Sequence, residues 1–365
     1  MSLQTLMPFA WLPSTRTLRL CAMALVTTLA QVTASAEVPA AQPDLASVRH
    51  WLLLLDNDLK PDIVQRIAAS DHDMVVIDDL ASMKDHSESE MAATIRAIRM
   101  KPDGTRRIVL AYLNVGQAED YRTYWRKAWR VGSPSWIVGH DPDGWKGNYP
   151  VAFWRTEWQD EIAGANGLLK SIIALGFDGV YLDWIGGFED EGVVKAAKRD
   201  GVDPRAEMIR WIAALSARAK SMSPEFLIIG QNATSLLSDE AYIAALDGVA
   251  QEDTWFTGAD GGPDGDCPVP RTADDVGSPA FVQSLSKPCL HAFGKDRSNA
   301  MHYVGESEIV PLLDLARARN KPVFTVDYAL HGSNVTWVAE RSRRLGFVPF
   351  IGGRGLSAYV PPVHD

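Results

Sequence analysis

Eight short apolar runs punctuate the chain between residues 51 and 351. They are WLLLL (51–55), MVVI (74–77), RIVLAYL (107–113), GVYL (179–182), FLIIG (226–230), GVAQ (248–251), PVFTV (322–326) and GFVPFI (346–351). Each is almost uniformly apolar instead of alternating with polar residues, the pattern of parallel strands buried on both faces. Segments with helical periodicity lie between them. Ser87 and Glu90 carry the signature of a capping box ahead of a helix reaching Met100. Residues 156–175 read as one helix closed by Gly176, and residues 204–221 and 307–319 read as two more. Strand and helix alternating eight times predict an α/β fold, a closed (β/α)8 TIM barrel over residues 49–365, with an open doubly wound sheet as the alternative topology. No GxGxxG follows the first run, which argues against a nucleotide-binding version of that sheet.

Two connections, after strands 3 and 6, are long. Residues 114–155 read as a helix over AEDYRTYWRKAWR and then an aromatic loop around Trp136, Trp145, Tyr149 and Trp154. Residues 253–306 contain GADGGPDGDCPVP. Loops of that size usually carry function. Asp260, Asp264 and Asp266 within the second lack the spacing and closing Glu of a calcium loop.

The apolar runs end in polar residues, most of them acids. Asp56, Asp78, Asp79, Asp183, Glu252 and Asp327 would all face the C-terminal mouth of a barrel, where this fold places its active sites. An acid at the end of a buried strand costs free energy unless it is paired or hydrogen-bonded. Asp79 reads as a helix N-cap. Asp183, in GFDGVYLDW, and Glu252, in QEDTWF, stand beside aromatic residues instead. That setting suits sugar cleavage: rings stack on sugar faces and lower the local dielectric, so one carboxyl stays protonated as an acid while the other stays ionised. Of 12 Trp, those at 125, 129, 136, 145, 154, 158, 184 and 255 fall near the expected rim, and core packing accounts for about half of them. Other chemistries lack their marks. There is no GxSxG, no HExxH and no GxxxxGK[ST], the eight His are scattered, and no metal ligand set is read.

The N-terminus changes the cellular picture. Arg16 and Arg19 precede the apolar run Leu20–Ala30, and Ala34-Ser35-Ala36 offers small residues for cleavage, so residues 1–36 read as a signal peptide and 37–48 as a Pro/Ala-rich leader. An uncleaved anchor is the other reading. Cleavage leaves 36 − 2 = 34 basic against 46 acidic residues, a net charge of −12. Such a chain is a poor partner for nucleic acid or anionic membranes and suits a cationic or neutral ligand. Two cysteines remain, Cys267 and Cys289, without CxxC spacing. In an oxidising compartment they read as a disulfide, with two free thiols as the alternative.

Taken in order, NVGQAEDYRTYW (114–125), FWRTEW (153–158), GFDGVYLDWIGGF (176–188), GQN (230–232), QED (251–253) with Trp255-Phe256, VDYA (326–329) and LGFVPFIGGRGL (345–356) resemble glycoside hydrolase family 114, the endo-α-1,4-polygalactosaminidase family. Its bacterial members have sometimes carried a cysteinyl-tRNA synthetase label, but the HIGH and KMSKS motifs are missing here. The resemblance implies a (β/α)8 barrel, cofactor-free hydrolysis of α-1,4-linked galactosamine polymers, and catalytic acids at Asp183 and Glu252. Glu252 is then the proton donor and Asp183 the nucleophile. Where family members often read GEAE this chain reads GQAE (116–119), which leaves Glu119 as the acid there. The expected substrate contacts are Asp56, Asp78, Asn114, Glu119, Tyr149, Trp154, Trp184, Asn232, Trp255, Asp327 and Tyr328, with Asp56, Asp78, Glu119 and Asp327 pairing with ammonium groups of a cationic amino sugar. The expectation is an exported monomer, periplasmic or extracellular, acting on exopolysaccharide without stable membrane insertion. A non-catalytic carbohydrate-binding barrel and a hydrolase of another α-linked glycan are the rival functions.

Overall fold

A computed structural model describes residues 44–55, 57–142, 144–258, 263–295 and 304–364. The segment expected to be a signal peptide (1–36), most of the expected leader (37–48), and Asp56 lie outside the described residues. Eight strands form one parallel sheet in chain order: β1 Trp51–Leu54, β2 Met74–Asp78, β3 Ile108–Asn114, β4 Gly179–Asp183, β5 Leu227–Gln231, β6 Gly248–Glu252, β7 Val323–Tyr328 and β8 Val348–Gly352. They coincide with the eight apolar runs because each strand is covered on both faces, and most of their residues are buried. The sheet curls into a nearly closed (β/α)8 barrel. At the seam between β8 and β1, the Trp51 indole donates to the Val348 carbonyl (3.0 Å) and the Leu55 N–H to the Leu356 carbonyl (2.8 Å).

Aromatic rings fill the barrel interior. Trp51 lies 6.1 Å from Tyr181, 5.6 Å from Phe324 and 5.7 Å from Phe350, ring centre to ring centre. These residues come from β1, β4, β7 and β8, so one side chain welds four strands. The helices outside follow their sequence signals. Ser87 and Glu90 close a capping box on the helix Glu88–Ile98, and Gly176 ends the helix Leu168–Leu175 in a left-handed conformation. Among the described residues no helix is long and apolar enough to cross a membrane.

Two expectations are corrected. The single helix over 156–175 is two, Thr156–Ala163 and Leu168–Leu175. The turn between them folds so tightly that a Cβ at Gly164 would meet the Asp160 carbonyl oxygen at 2.4 Å, and one at Gly167 the Ile162 carbonyl oxygen at 2.6 Å. The segment 118–130 is not helical either. Its start forms a ribbon, Gln117–Glu119 with Asn148–Pro150, and its side chains are drawn into tertiary bonds that a helix could not make. The Glu119 N–H donates to the Tyr124 hydroxyl (2.8 Å), and the Thr123 N–H to the Ser82 carbonyl (2.7 Å). In the loop after β6, a short ribbon pairs Phe256–Thr257 with Cys267–Pro268, and a disulfide joins Cys267 to Cys289.

Trp51→Ala is expected to cost about 3–5 kcal/mol of stability, the usual loss on emptying an aromatic core position. Urea denaturation checks this, and a cost under about 1 kcal/mol would show that the interior is not a packed plug.

Candidate active site

Strand alternation builds the site at the C-terminal rim. Residues two apart share a face, so Tyr112 and Asn114 of β3, and Tyr181 and Asp183 of β4, stand in matched pairs. Their register confirms it: Tyr112 lies opposite Tyr181, and Asn114 opposite Asp183. The Tyr112 hydroxyl donates to Asp183 Oδ2 at 2.5 Å, and the Trp184 N–H donates to Oδ1 at 2.7 Å. The loop after β3 presses on this turn. A Cβ at Gly116 would sit 2.3 Å from the Trp184 carbonyl oxygen, so only glycine fits.

Glu252 ends β6, two strands away. Asn232, just past the intervening β5, grips it twice: its Nδ2 donates to Glu252 Oε2 (3.0 Å), and its Oδ1 accepts the Glu252 N–H (2.9 Å). The Tyr328 hydroxyl, from β7, donates to Oε1. The residues that follow these strand ends are strained. Trp184 (φ 59°), Asn232 (57°), Ala233 (51°) and Asp253 (53°) all adopt the left-handed conformation. Such strain in non-glycine residues clusters where a surrounding structure aims functional groups.

Burial, and then the charge of Glu252, push the Asp183 carboxyl up to about 7. The charge of Glu252 is therefore felt at Asp183. Tyr181 lies between their fields, and its buried hydroxyl has no hydrogen-bond partner among the described residues. Burial and the neighbouring carboxylates raise the Tyr112 and Tyr328 hydroxyls well above their usual range, so both remain proton-bearing donors. Two recessed carboxylates, each held by a tyrosine, form an acid–base arrangement.

The other sequence candidates divide by partner. Asn232, Tyr328 and Trp184 belong to the site. Asn114 lies beside it: its side chain shapes the turn by accepting the Gln117 N–H (2.8 Å) and reaches the Tyr112 hydroxyl (3.5 Å). Tyr149 stacks on Trp125 (ring centres 4.9 Å apart) farther along the rim. Asp78 and Glu119 are corrected as ammonium ligands, because Arg122 neutralises both. Its guanidinium reaches Asp78 at 2.7 Å and Glu119 at 2.8 Å, and all three are buried. Asp327 is corrected likewise. It has no exposed surface, and its Oδ1 accepts the N–H groups of Trp255 (2.6 Å) and Phe256 (3.1 Å), anchoring the loop after β6. Trp255 is buried against Trp337 and donates to Ser342 (3.0 Å), so it is core and offers no face to a sugar. Trp154 donates to Asp200 (3.0 Å), on the helix Glu191–Asp200, away from the carboxylate pair's bonded partners.

Sequence reasoning missed Tyr112, Tyr181, Arg122 and Asp253. The first two were findable, since alternation puts Tyr112 on the face of Asn114 and Tyr181 on the face of Asp183. Arg122 looked like one of several helix-surface cations. Asp253, buried next to Glu252 and raised well above the ordinary carboxylate range by burial, followed so close on the strand end that nothing in its spacing marked it.

Comparison with known proteins places this geometry. The family described as glycoside-hydrolase family GH114 matches residues 64–363. An uncharacterised protein of Deinococcus radiodurans is 31% identical over 329 residues, 90% of this chain and 88% of that protein. Among solved structures, the glycoside hydrolase domain of PelA from Pseudomonas aeruginosa superposes with a TM-score of 0.54 at 15% identity, covering 86% of this chain and 97% of that one. Ega3 of Aspergillus fumigatus, in complex with galactosamine, gives 0.50 at 17% identity, covering 89% and 98%. At these identities the two structures speak for the fold.

The buried acids set a pH dependence of stability. Asp327 is pushed up to about 7 by burial, so in the folded state it holds a proton that the unfolded chain releases near 4. Its contribution is present at acid pH and is lost as pH rises through 4 to 7. His72, lowered to about 4 by burial, works in the opposite direction, so the wild-type curve is a sum. Asp327→Asn isolates the one group. Relative to wild type, its stability should improve by about 1–3 kcal/mol from pH 5 to pH 8. Paired urea titrations measure this, and a pH-independent difference refutes it.

Proposed function

The chain belongs to glycoside hydrolase family GH114, and from that premise we propose that it hydrolyses an α-1,4-linked, galactosamine-containing polysaccharide outside the cytoplasm, with Asp183 and Glu252 as its two working carboxylates. That it is a glycoside hydrolase rests on the family. The finer reading rests above all on one observation: Asp183 ends β4 and Glu252 ends β6, so two acids stand at the C-terminal ends of strands two apart.

Burial, and then the charge of Glu252, oppose ionisation of Asp183. In the reacting form the proton stands on Glu252 and Asp183 is ionised. Glu252 then gives its proton to the glycosidic oxygen as that bond breaks, and the Asp183 carboxylate attacks the anomeric carbon to form a glycosyl ester. A water molecule next attacks the same carbon, passing its proton to Glu252 and releasing Asp183, so both groups return to their starting state. Tyr112 and Tyr328 fix one oxygen of each acid, and Asn232 fixes the backbone and the side chain of Glu252 together.

An acidic chain, −10 over the full sequence, favours a cationic polymer such as a deacetylated amino-sugar chain. The galactosamine held by Ega3, a protein of similar fold, supports the sugar class. The N-terminal targeting pattern and the Cys267–Cys289 disulfide support export to an oxidising compartment.

Asp183→Asn and Glu252→Gln should each lower kcat/KM by about 10²–10⁴-fold, the usual worth of an acid–base group, while leaving the melting temperature unchanged or raised. The assay is release of reducing ends from polygalactosamine, acetylated and deacetylated, beside neutral α-glucans and α-galactans. Turnover only on the neutral polymers would assign another α-linked glycan, and binding without turnover on any of them would assign a carbohydrate-binding barrel. Tyr112→Phe removes a hydrogen bond that lowers the Asp183 value. The acidic limb of its pH–rate profile should therefore move to higher pH, and an unmoved limb would remove Asp183 from the nucleophile role.

A further inference from the structure

The barrel's opposite end carries a second cluster of chemically capable side chains. His50 immediately precedes β1, Asp71 lies in the turn before β2, and His364 stands near the end of the C-terminal tail. One ligating atom from each lies within 4.8 Å of the other two, the one such group of three among the described residues. The His50 and His364 rings are 4.8 Å apart, and His364 Nε2 lies 3.5 Å from Asp71 Oδ2. We propose that His50, Asp71 and His364 form a binding site for one divalent cation of the zinc class, which clamps the C-terminal tail to the foot of the first strand.

The scaffold presents these groups. The His50 backbone is fixed on both sides: its N–H donates to Asp73 Oδ2 (3.1 Å) and its carbonyl accepts the Asp73 N–H (2.8 Å). The tail is pinned before it reaches His364. The Arg66 guanidinium covers the Tyr359 ring at 4.2 Å, Tyr359 meets His72 edge-on at 5.9 Å, and the Arg343 side chain donates to the Val363 carbonyl. The gap left between tail and barrel, lined in part by His50, Trp51, Phe350 and Pro361, is only ≈ 10 Å³. The tail therefore lies against the seam between β8 and β1 and delivers its imidazole there.

Donor chemistry selects the ion. Donors around a tetrahedral zinc-class ion sit about 3.3 Å apart, given bond lengths near 2.1 Å. The present spread closes to that by small rotations of Asp71 and His364, whose side chains are more than half exposed (56% and 59%). Two imidazoles and one carboxylate suit zinc, nickel or copper, whereas calcium and magnesium seek mostly oxygen ligands. Water completes the coordination. The site lies at the N-terminal ends of the strands, opposite the carboxylate pair, and so serves stability.

The test uses the full chain, stripped with EDTA and titrated with zinc chloride by calorimetry at pH 7. One zinc per chain should bind, raising the melting temperature by several degrees. His50→Ala, Asp71→Asn and His364→Ala should each weaken binding at least tenfold, with the stripped variants melting close to the stripped wild type. The His364 side chain is more than half exposed, so its loss is not expected to unfold the barrel. Absence of stoichiometric binding, or binding that survives any one of the three substitutions undiminished, overturns the proposal.

Discussion

Two carboxyl groups that end β4 and β6, the charge of one bearing on the other, form the constraint around which the upper half of this barrel is built. Neighbouring strands stand about 4.8 Å apart, so acids ending strands two positions apart begin roughly 10 Å from each other and converge as their side chains lean inward. Desolvation and the charge of Glu252 then oppose ionisation of Asp183. The fold answers with donors. Asp183 accepts from the Tyr112 hydroxyl and the Trp184 N–H, and Glu252 from the Tyr328 hydroxyl and the Asn232 amide. Tyrosine suits this task better than lysine or arginine would. It supplies a hydrogen bond without a full charge, so the pair is oriented while the charge of Glu252 still bears on Asp183.

The same rim holds other acids that serve the fold, and the difference lies in what each one meets. Asp78 and Glu119 close on Arg122, a cation carried by the long loop after β3. That triad fastens the loop to the barrel from inside, where losing one partner would leave a buried charge unmatched. Asp327 meets backbone instead. It satisfies two N–H groups of the chain emerging from β6, so it holds the strand end that bears Glu252 without touching that residue. An acid with a guanidinium or a pair of amides in reach is spent on structure. Asp183, held by a hydroxyl and an N–H and burdened by burial and the charge of Glu252, has its carboxyl pushed up instead.

This distinction explains what could be read from the sequence. The eight strands were legible because burial on both faces leaves uninterrupted apolar runs, a local signal. Asp183 and Glu252 were legible because a polar residue ends each such run beside aromatic neighbours. The partners were not, because pairing is a property of three-dimensional proximity. Arg122 sits 44 positions from Asp78, and the segment around it has the composition of a helix. Only the folded chain shows that its aromatic and basic side chains are used one at a time, in tertiary contacts that defeat the helix. Trp255 misled for the same reason. A tryptophan next to a catalytic acid and one that plugs a helix–strand interface have the same local sequence, and its bond to Ser342 lies 87 residues away.

Distance along the chain also governs closure. A barrel of eight parallel strands must join its first strand to its last, and among the described residues that seam is bridged by bonds such as Trp51 to Val348, Leu55 to Leu356 and Asn57 to Ser357, where the interior pairs carry continuous ladders. A seam so lightly bonded is the place where the barrel would open first. The aromatic plug on Trp51 resists opening from within, since that ring touches both β7 and β8. The C-terminal tail resists it from below, held through Tyr359 and Val363 to elements on either side. The geometry of the dyad depends on the barrel staying shut, because strands β4 to β7 can aim their ends at one point only while the sheet remains curled. The restraints at the foot of the barrel and the acids at its mouth therefore act on one mechanical element, although no side chain connects them.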